Sequence, residues 1–224
     1  MPSSMPRSTW LVLLLALGCR PTGSTVVPQD GGAETETRDA LAVSDGLEAL
    51  VEDGRASEDD RVKALEQVRS IPDDGSAGYA FARAAVAGRV AELRGVKAGK
   101  LVGEAEGFAK QSIDRDPQFR ERAASRMLGS LWVMAPPRLL EHGDSEKGLA
   151  LLETLAKEQP QEPLNHLRLA EAYVFLGDPE PAVSHLCIVA AGQQALRRDD
   201  QALLQRLMDE AGEEEPIECE AASP

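Results

Sequence analysis

The stretch Pro163–Ala191, PLNHLRLAEAYVFLGDPEPAVSHLCIVAA, constrains the fold more than any other part of the chain. Leu164, Leu167, Ala170, Ala172, Tyr173 and Leu176 recur at the spacing that puts side chains on one helical face. Gly177 then ends that helix, because glycine enters the left-handed conformation without steric cost. Asp178 is placed to cap a second helix, and Pro179 stands where a missing N–H does no harm. Ala182, Val183, Leu186 and Val189 give the second helix its apolar face. Small residues at Ala170 and Ala182 let the two helices approach, and Tyr173 and Leu186 fill the space between them.

The same helical pattern runs through the chain from Asp39. Asp39–Asp53 carries Leu41, Val43, Leu47, Leu50 and Val51 and stops at Gly54. Ser57, with Asp60 three residues on, marks the start of a helix over Glu58–Ser70. Pro72–Gly75 is a turn, and Ala77–Leu93 has a thin face of Ala80, Ala84, Ala87 and Ala91 suited to close packing. Lys97–Lys100 reads as a loop before a helix over Leu101–Arg115, stopped at Asp116-Pro117. Further helices are expected over Gln118–Met134 and Ser145–Gln159, and a last one, capped by Asp199-Asp200, through Ala211. Gly148 and Ala182 lie 34 residues apart, one period of the tetratricopeptide (TPR) repeat. Gly88 to Gly129 and Gly129 to Ala170 are each 41 residues, the period plus a longer loop. With Leu169-Ala170-x-x-Tyr173, Gly177-Asp178 and Ala182-x-x-x-Leu186, the chain resembles a TPR array. The fold expected is all-α, a solenoid of about three to four TPR-like helix–turn–helix repeats over residues 39–212 with a C-terminal capping helix.

The N-terminus is read as an address rather than as fold. Arg7 precedes the apolar run Trp10–Leu17, which is shorter than the ~20 residues of a spanning helix. The junction Leu15-Ala16-Leu17-Gly18-Cys19 resembles a bacterial lipobox. That resemblance implies a signal peptide over residues 1–18 and lipidation of Cys19, which would fix the protein to a membrane. The alternative is an ordinary secretory signal. Arg20 after the cysteine points to the periplasmic face of the outer membrane. Residues 19–38, polar and interrupted by Pro and Gly, are expected to be a flexible tether. The formal charge of −14 argues against nucleic acid and against charge-driven binding to anionic lipid. Residues 213–224 form an acidic tail.

Asp116-Pro117-Gln118-Phe119, Leu128-Gly129, Ala135-Pro136-Pro137, Gly143-Asp144, Pro160 and Asn165-His166-Leu167 follow one another in an order similar to the TatT family. These are TPR lipoproteins associated with tripartite ATP-independent periplasmic (TRAP) transporters. The resemblance implies a protein that docks a periplasmic substrate-binding protein, in some cases as a homo-oligomer, and that passes an apolar ligand along a channel. A lipoprotein supporting outer-membrane or pilus assembly is the alternative, and a small-molecule carrier a third. His142, His166 and His185 are dispersed, with no zinc-ligand spacing. No nucleophile motif or phosphate loop is present, so neither enzyme activity nor a cofactor is expected. The candidate partner or ligand surface comprises Trp132, Pro136, Pro137, Leu139, Leu140 and Tyr173, with local core packing the competing reading for Trp132, Leu139 and Leu140. Cys187 and Cys219 either pair in an oxidising compartment or remain a buried apolar residue and a free tail thiol. The unpaired reading is slightly favoured.

Overall fold

The computed structural model describes residues 39–140, 144–212 and 217–219. Cys19, the signal segment, the tether, His142 and Gly143 fall outside the described residues. Among the described residues every regular element is helical: α1 (Ala40–Glu52), α2 (Glu58–Ser70), α3 (Ala77–Ala91), α4 (Gly99–Arg115), α5 (Phe119–Met134), α6 (Ser145–Glu158), α7 (Pro163–Phe175), α8 (Glu180–Ala191) and α9 (Arg198–Ala211).

Local chemistry sets most of these boundaries. The Ser57 hydroxyl accepts from the Asp60 N–H at 3.1 Å, and the Asp60 carboxylate accepts from the Ser57 N–H at 3.0 Å, a reciprocal cap on α2. Ser76 and Asp144 cap α3 and α6 in the simpler one-way manner. At the end of α7, Gly177 takes φ +81°. Its N–H donates to Val174 O, and the Asp178 N–H donates to Tyr173 O, a Schellman closure. Asp178 therefore completes α7 rather than capping α8, whose N-cap is Pro179 with no side-chain bond. The expected cap at Asp199-Asp200 is likewise absent. Helix α9 begins at Arg198 without a side-chain cap, and the Asp200 carboxylate instead accepts from Arg168 Nη2 at 2.6 Å. The expected loop at Lys97–Lys100 is mostly helical, because a 3-10 turn over Gly95–Lys97 leads directly into α4.

One backbone feature has no sequence signal. Arg120, Glu121 and Arg122 have φ of 47°, 50° and 61°, a left-handed turn at the start of α5 without any glycine. Flanking contacts hold it: Arg120 grips Asp45 through two bonds of 2.7 Å, Arg122 pairs with Glu158, and Phe119 packs on Phe81.

The helices pack in an alternating order. Each odd-numbered helix touches the next odd-numbered one, from α1 through α3, α5 and α7 to α9. Each even-numbered helix packs against both the helix before it and the helix after it. The crossing of α5 and α6 brings backbone against backbone at Gly129 and Gly148. A Cβ on Gly148 would lie 2.7 Å from Gly129 O and 2.8 Å from Val133 N, so only glycine fits. Helix α3 is buried on nearly every side, with Ala80, Ala82, Ala84 and Ala87 fully enclosed, as its small side chains permit. Helix α9 also returns to α1. Arg197 donates to the Glu48 carbonyl at 3.0 Å and to its carboxylate at 3.2 Å.

Candidate functional site

The six residues expected to form a surface separate into three places. Trp132 and Pro136 line a cleft of about 270 Å³ at the C-terminal ends of α5 and α7, together with Met134, Phe175 and Leu176. Phe175 is 55% exposed, Leu176 43% and Met134 39%, so apolar surface is presented to solvent here. Trp132 itself is half-buried, with its indole N–H donating to the buried Glu106 carboxylate at 3.2 Å and the Lys110 ammonium over its ring. The tryptophan is thus held in one orientation from behind, with its neighbours open in front.

Leu139 and Leu140 lie in the second place. They are half-buried and pack on Ala91, Ala98 and Val102, lining an open cleft of about 430 Å³ beside Gly99 and Gly103. This is the local-packing alternative rather than an apolar tip held out to solvent. Pro137 opens the 3-10 turn Pro137–Leu139 that carries them.

Tyr173 occupies the third place, among α6, α7 and α8. Its hydroxyl donates to Glu153 at 2.7 Å, and its ring stacks on His185 with centroids 6.2 Å apart. Burial and the Glu153 carboxylate push its phenol up to about 12. His185 Nδ1 lies 2.8 Å from His166 Nδ1, and His166 Nε2 lies 3.1 Å from the Pro160 carbonyl. A carbonyl can only accept, so His166 Nε2 carries a proton. In neutral His166 the Nδ1 is then the acceptor, and His185 donates from Nδ1. Burial first, and the neighbouring His166 second, hold the His185 imidazole below its ordinary value.

Ion pairs join α1 to α3, and α7 to α9. Arg89 grips Glu48 through two bonds of 2.7 Å. Arg197 joins Glu48 to Asp199, and Arg168 joins Glu171 to Asp200. Burial raises Glu48 against its arginines, but Arg89 and Arg197 together hold it below the usual carboxylate range. Asp200 is raised because burial outweighs Arg168.

Cys187 and Cys219 form a disulfide, which overturns the unpaired reading. Ile217 packs against the core between α7, α8 and α9, so the segment Ile217–Cys219 is pinned to α8. Sequence spacing could not reveal this, because 32 residues separate the cysteines. Met134, Phe175 and Leu176 were also missed. Leu176 fits the apolar period of α7, but as the C-cap residue it falls beyond the buried face. Among the described residues, no three His, Cys, Asp or Glu side chains converge as a metal-ligand set. No family model and no curated protein matches the chain.

Proposed function

We propose that the chain is a non-catalytic docking scaffold of the cell envelope, built of TPR-type repeats and anchored by lipid at Cys19. The observation that carries this reading is the packing ladder α1–α3–α5–α7–α9, with α2, α4, α6 and α8 each wedged between successive members. Stacked helix pairs of this kind leave long faces and helix ends available for partners. On this reading α1/α2, α3/α4, α5/α6 and α7/α8 are four repeats and α9 is the terminal cap. The disulfide between Cys187 and Cys219 supports an oxidising compartment outside the cytoplasm. The sharper form is an accessory role for a TRAP-type transporter, docking its periplasmic substrate-binding protein from the periplasmic face of the outer membrane.

Cross-linking and pull-down from native envelope membranes, comparing the full chain with Cys19→Ser, tests both forms. Anchor-dependent recovery of a substrate-binding protein is the expected result. Recovery of outer-membrane or pilus assembly components would transfer the scaffold to that machinery. Recovery that is equal with and without the anchor would remove the envelope tether from the account.

A further inference from the structure

We infer that the cleft between the ends of α5 and α7 docks a partner segment that presents an apolar side chain flanked by lysine or arginine. The inference rests on the scaffold reading and adds where the partner sits and what chemistry it carries. Three observations point to it. First, Met134, Phe175 and Leu176 are exposed around one cleft of about 270 Å³, whereas isolated exposed apolar residues need no explanation. Second, Trp132 forms the wall of that cleft and is fixed by Glu106. A rigid aromatic backed by a hydrogen bond is the kind of residue that anchors an interface.

Third, the chain flanking the cleft carries more acidic than basic residues. Asp144 and Glu146 flank Ser145, which lines the cleft, and Asp178 and Glu180 follow Leu176 by two and four residues. Against them stand Arg138, two residues beyond Pro136, and Lys147, already paired with Asp144 at 3.3 Å, while Lys110 is engaged by Glu106 at 2.7 Å, so acidic groups outnumber the cations near the cleft. Such a rim attracts a basic flank and speeds its encounter. It also disfavours a second copy of this chain, because a two-fold contact would set one acidic rim against the other.

Trp132 supplies the probe, since Trp10 is the only other tryptophan in the sequence. The full chain carrying Trp10→Phe, held in detergent, is titrated with a tryptophan-free leucine–lysine amphipathic peptide while Trp132 emission is followed. Saturable change is expected, with Phe175→Ser/Leu176→Ser weakening binding at least tenfold. Asp178→Lys/Glu180→Lys should weaken it several-fold and flatten its salt dependence. A leucine–glutamate peptide of the same pattern should leave the emission unchanged. Both replaced pairs are exposed, so folding, checked by circular dichroism, is expected to survive.

Equal binding of the two peptides, or binding indifferent to Phe175→Ser/Leu176→Ser, overturns the inference. Concentration-dependent dimerisation abolished by the same double variant would also overturn it, making the face a contact between copies. The two levels separate cleanly. Anchor-dependent capture of an envelope partner, undiminished by Phe175→Ser/Leu176→Ser, would refute this surface and leave the scaffold standing. Specific peptide binding without any envelope capture would support the surface and count against the scaffold.

Discussion

His166 and His185 share a single hydrogen bond that survives only while at least one facing nitrogen is unprotonated. Glu153 approaches from α6 through Tyr173, and its negative charge only partly offsets the effects of burial and of His166 on His185. The folded-state value of His185 is lowered from 6.5, so the unfolded chain binds the proton more readily. Stability from this pair is therefore complete above about pH 6.5 and is lost as pH falls through that value toward the folded one. Urea unfolding at pH 7.5 and 5.5 should show a drop in midpoint for the native chain and a smaller drop for His185→Gln. Identical drops in the two proteins would mean the pair contributes nothing to pH dependence. A second residue-scale case is Glu121, left-handed at φ 50° and exposed. Glycine would relieve a penalty of ~1–2 kcal/mol but adds unfolded-state entropy of ~0.5–1 kcal/mol. Glu121→Gly should therefore gain about 0–1.5 kcal/mol in thermal denaturation, whereas Glu66→Gly, at an exposed regular position in α2, should lose about 1 kcal/mol. The reciprocal cap at Ser57 and Asp60 was legible from the sequence because it is made by neighbours. The turn at Arg120–Arg122 was not, because its partners Asp45 and Glu158 lie far away along the chain.

At the scale of elements, glycine had two meanings that the sequence does not separate. Gly54 and Gly177 end helices at positive φ, and both stops were legible from the break in apolar period. Gly129 and Gly148 sit inside helices, where the repeat spacing matched them to Ala170 and Ala182 but gave no reason for the missing Cβ. The reason is the α5–α6 crossing, where backbone meets backbone. Gly148→Ala forces a Cβ to 2.7 Å from Gly129 O, and neither backbone can move without shifting its helix. A loss of at least ~1–3 kcal/mol is expected, the range for overpacking. Gly107→Ala is the control. It is also helical, a Cβ there meets nothing within 4 Å, and alanine should add up to ~1 kcal/mol. Guanidinium unfolding of the two variants should therefore move the midpoint in opposite directions. A stable Gly148→Ala would show that the crossing can open without consequence.

Whole-molecule organisation was legible as far as nearest neighbours reach. Amphipathic period, stops and a repeat spacing located the nine α-helices of the described residues, apart from the start of α4, because each signal is written within one turn or one loop. The return of α9 to α1 was not legible, since Arg197 and Glu48 are 149 residues apart and neither sits in a motif. Glu48 receives Arg89 from α3 and Arg197 from the approach to α9, so one carboxylate ties together three parts of the fold. Removing Arg197 leaves Glu48 paired with Arg89 and so does not strand a charge, which limits the global cost. Since Arg197 is about a third exposed (36%), solvent screening reduces it further, to roughly 1 kcal/mol or less. The larger consequence is local. Arg197→Ala should raise hydrogen exchange in α1 and α9 while α5 and α6 keep their protection, because those ends lose a mutual contact and the α5–α6 crossing does not. Uniform acceleration across all helices would indicate instead that the ends and the middle unfold as one unit, and that closure by Arg197 stabilises the array as a whole.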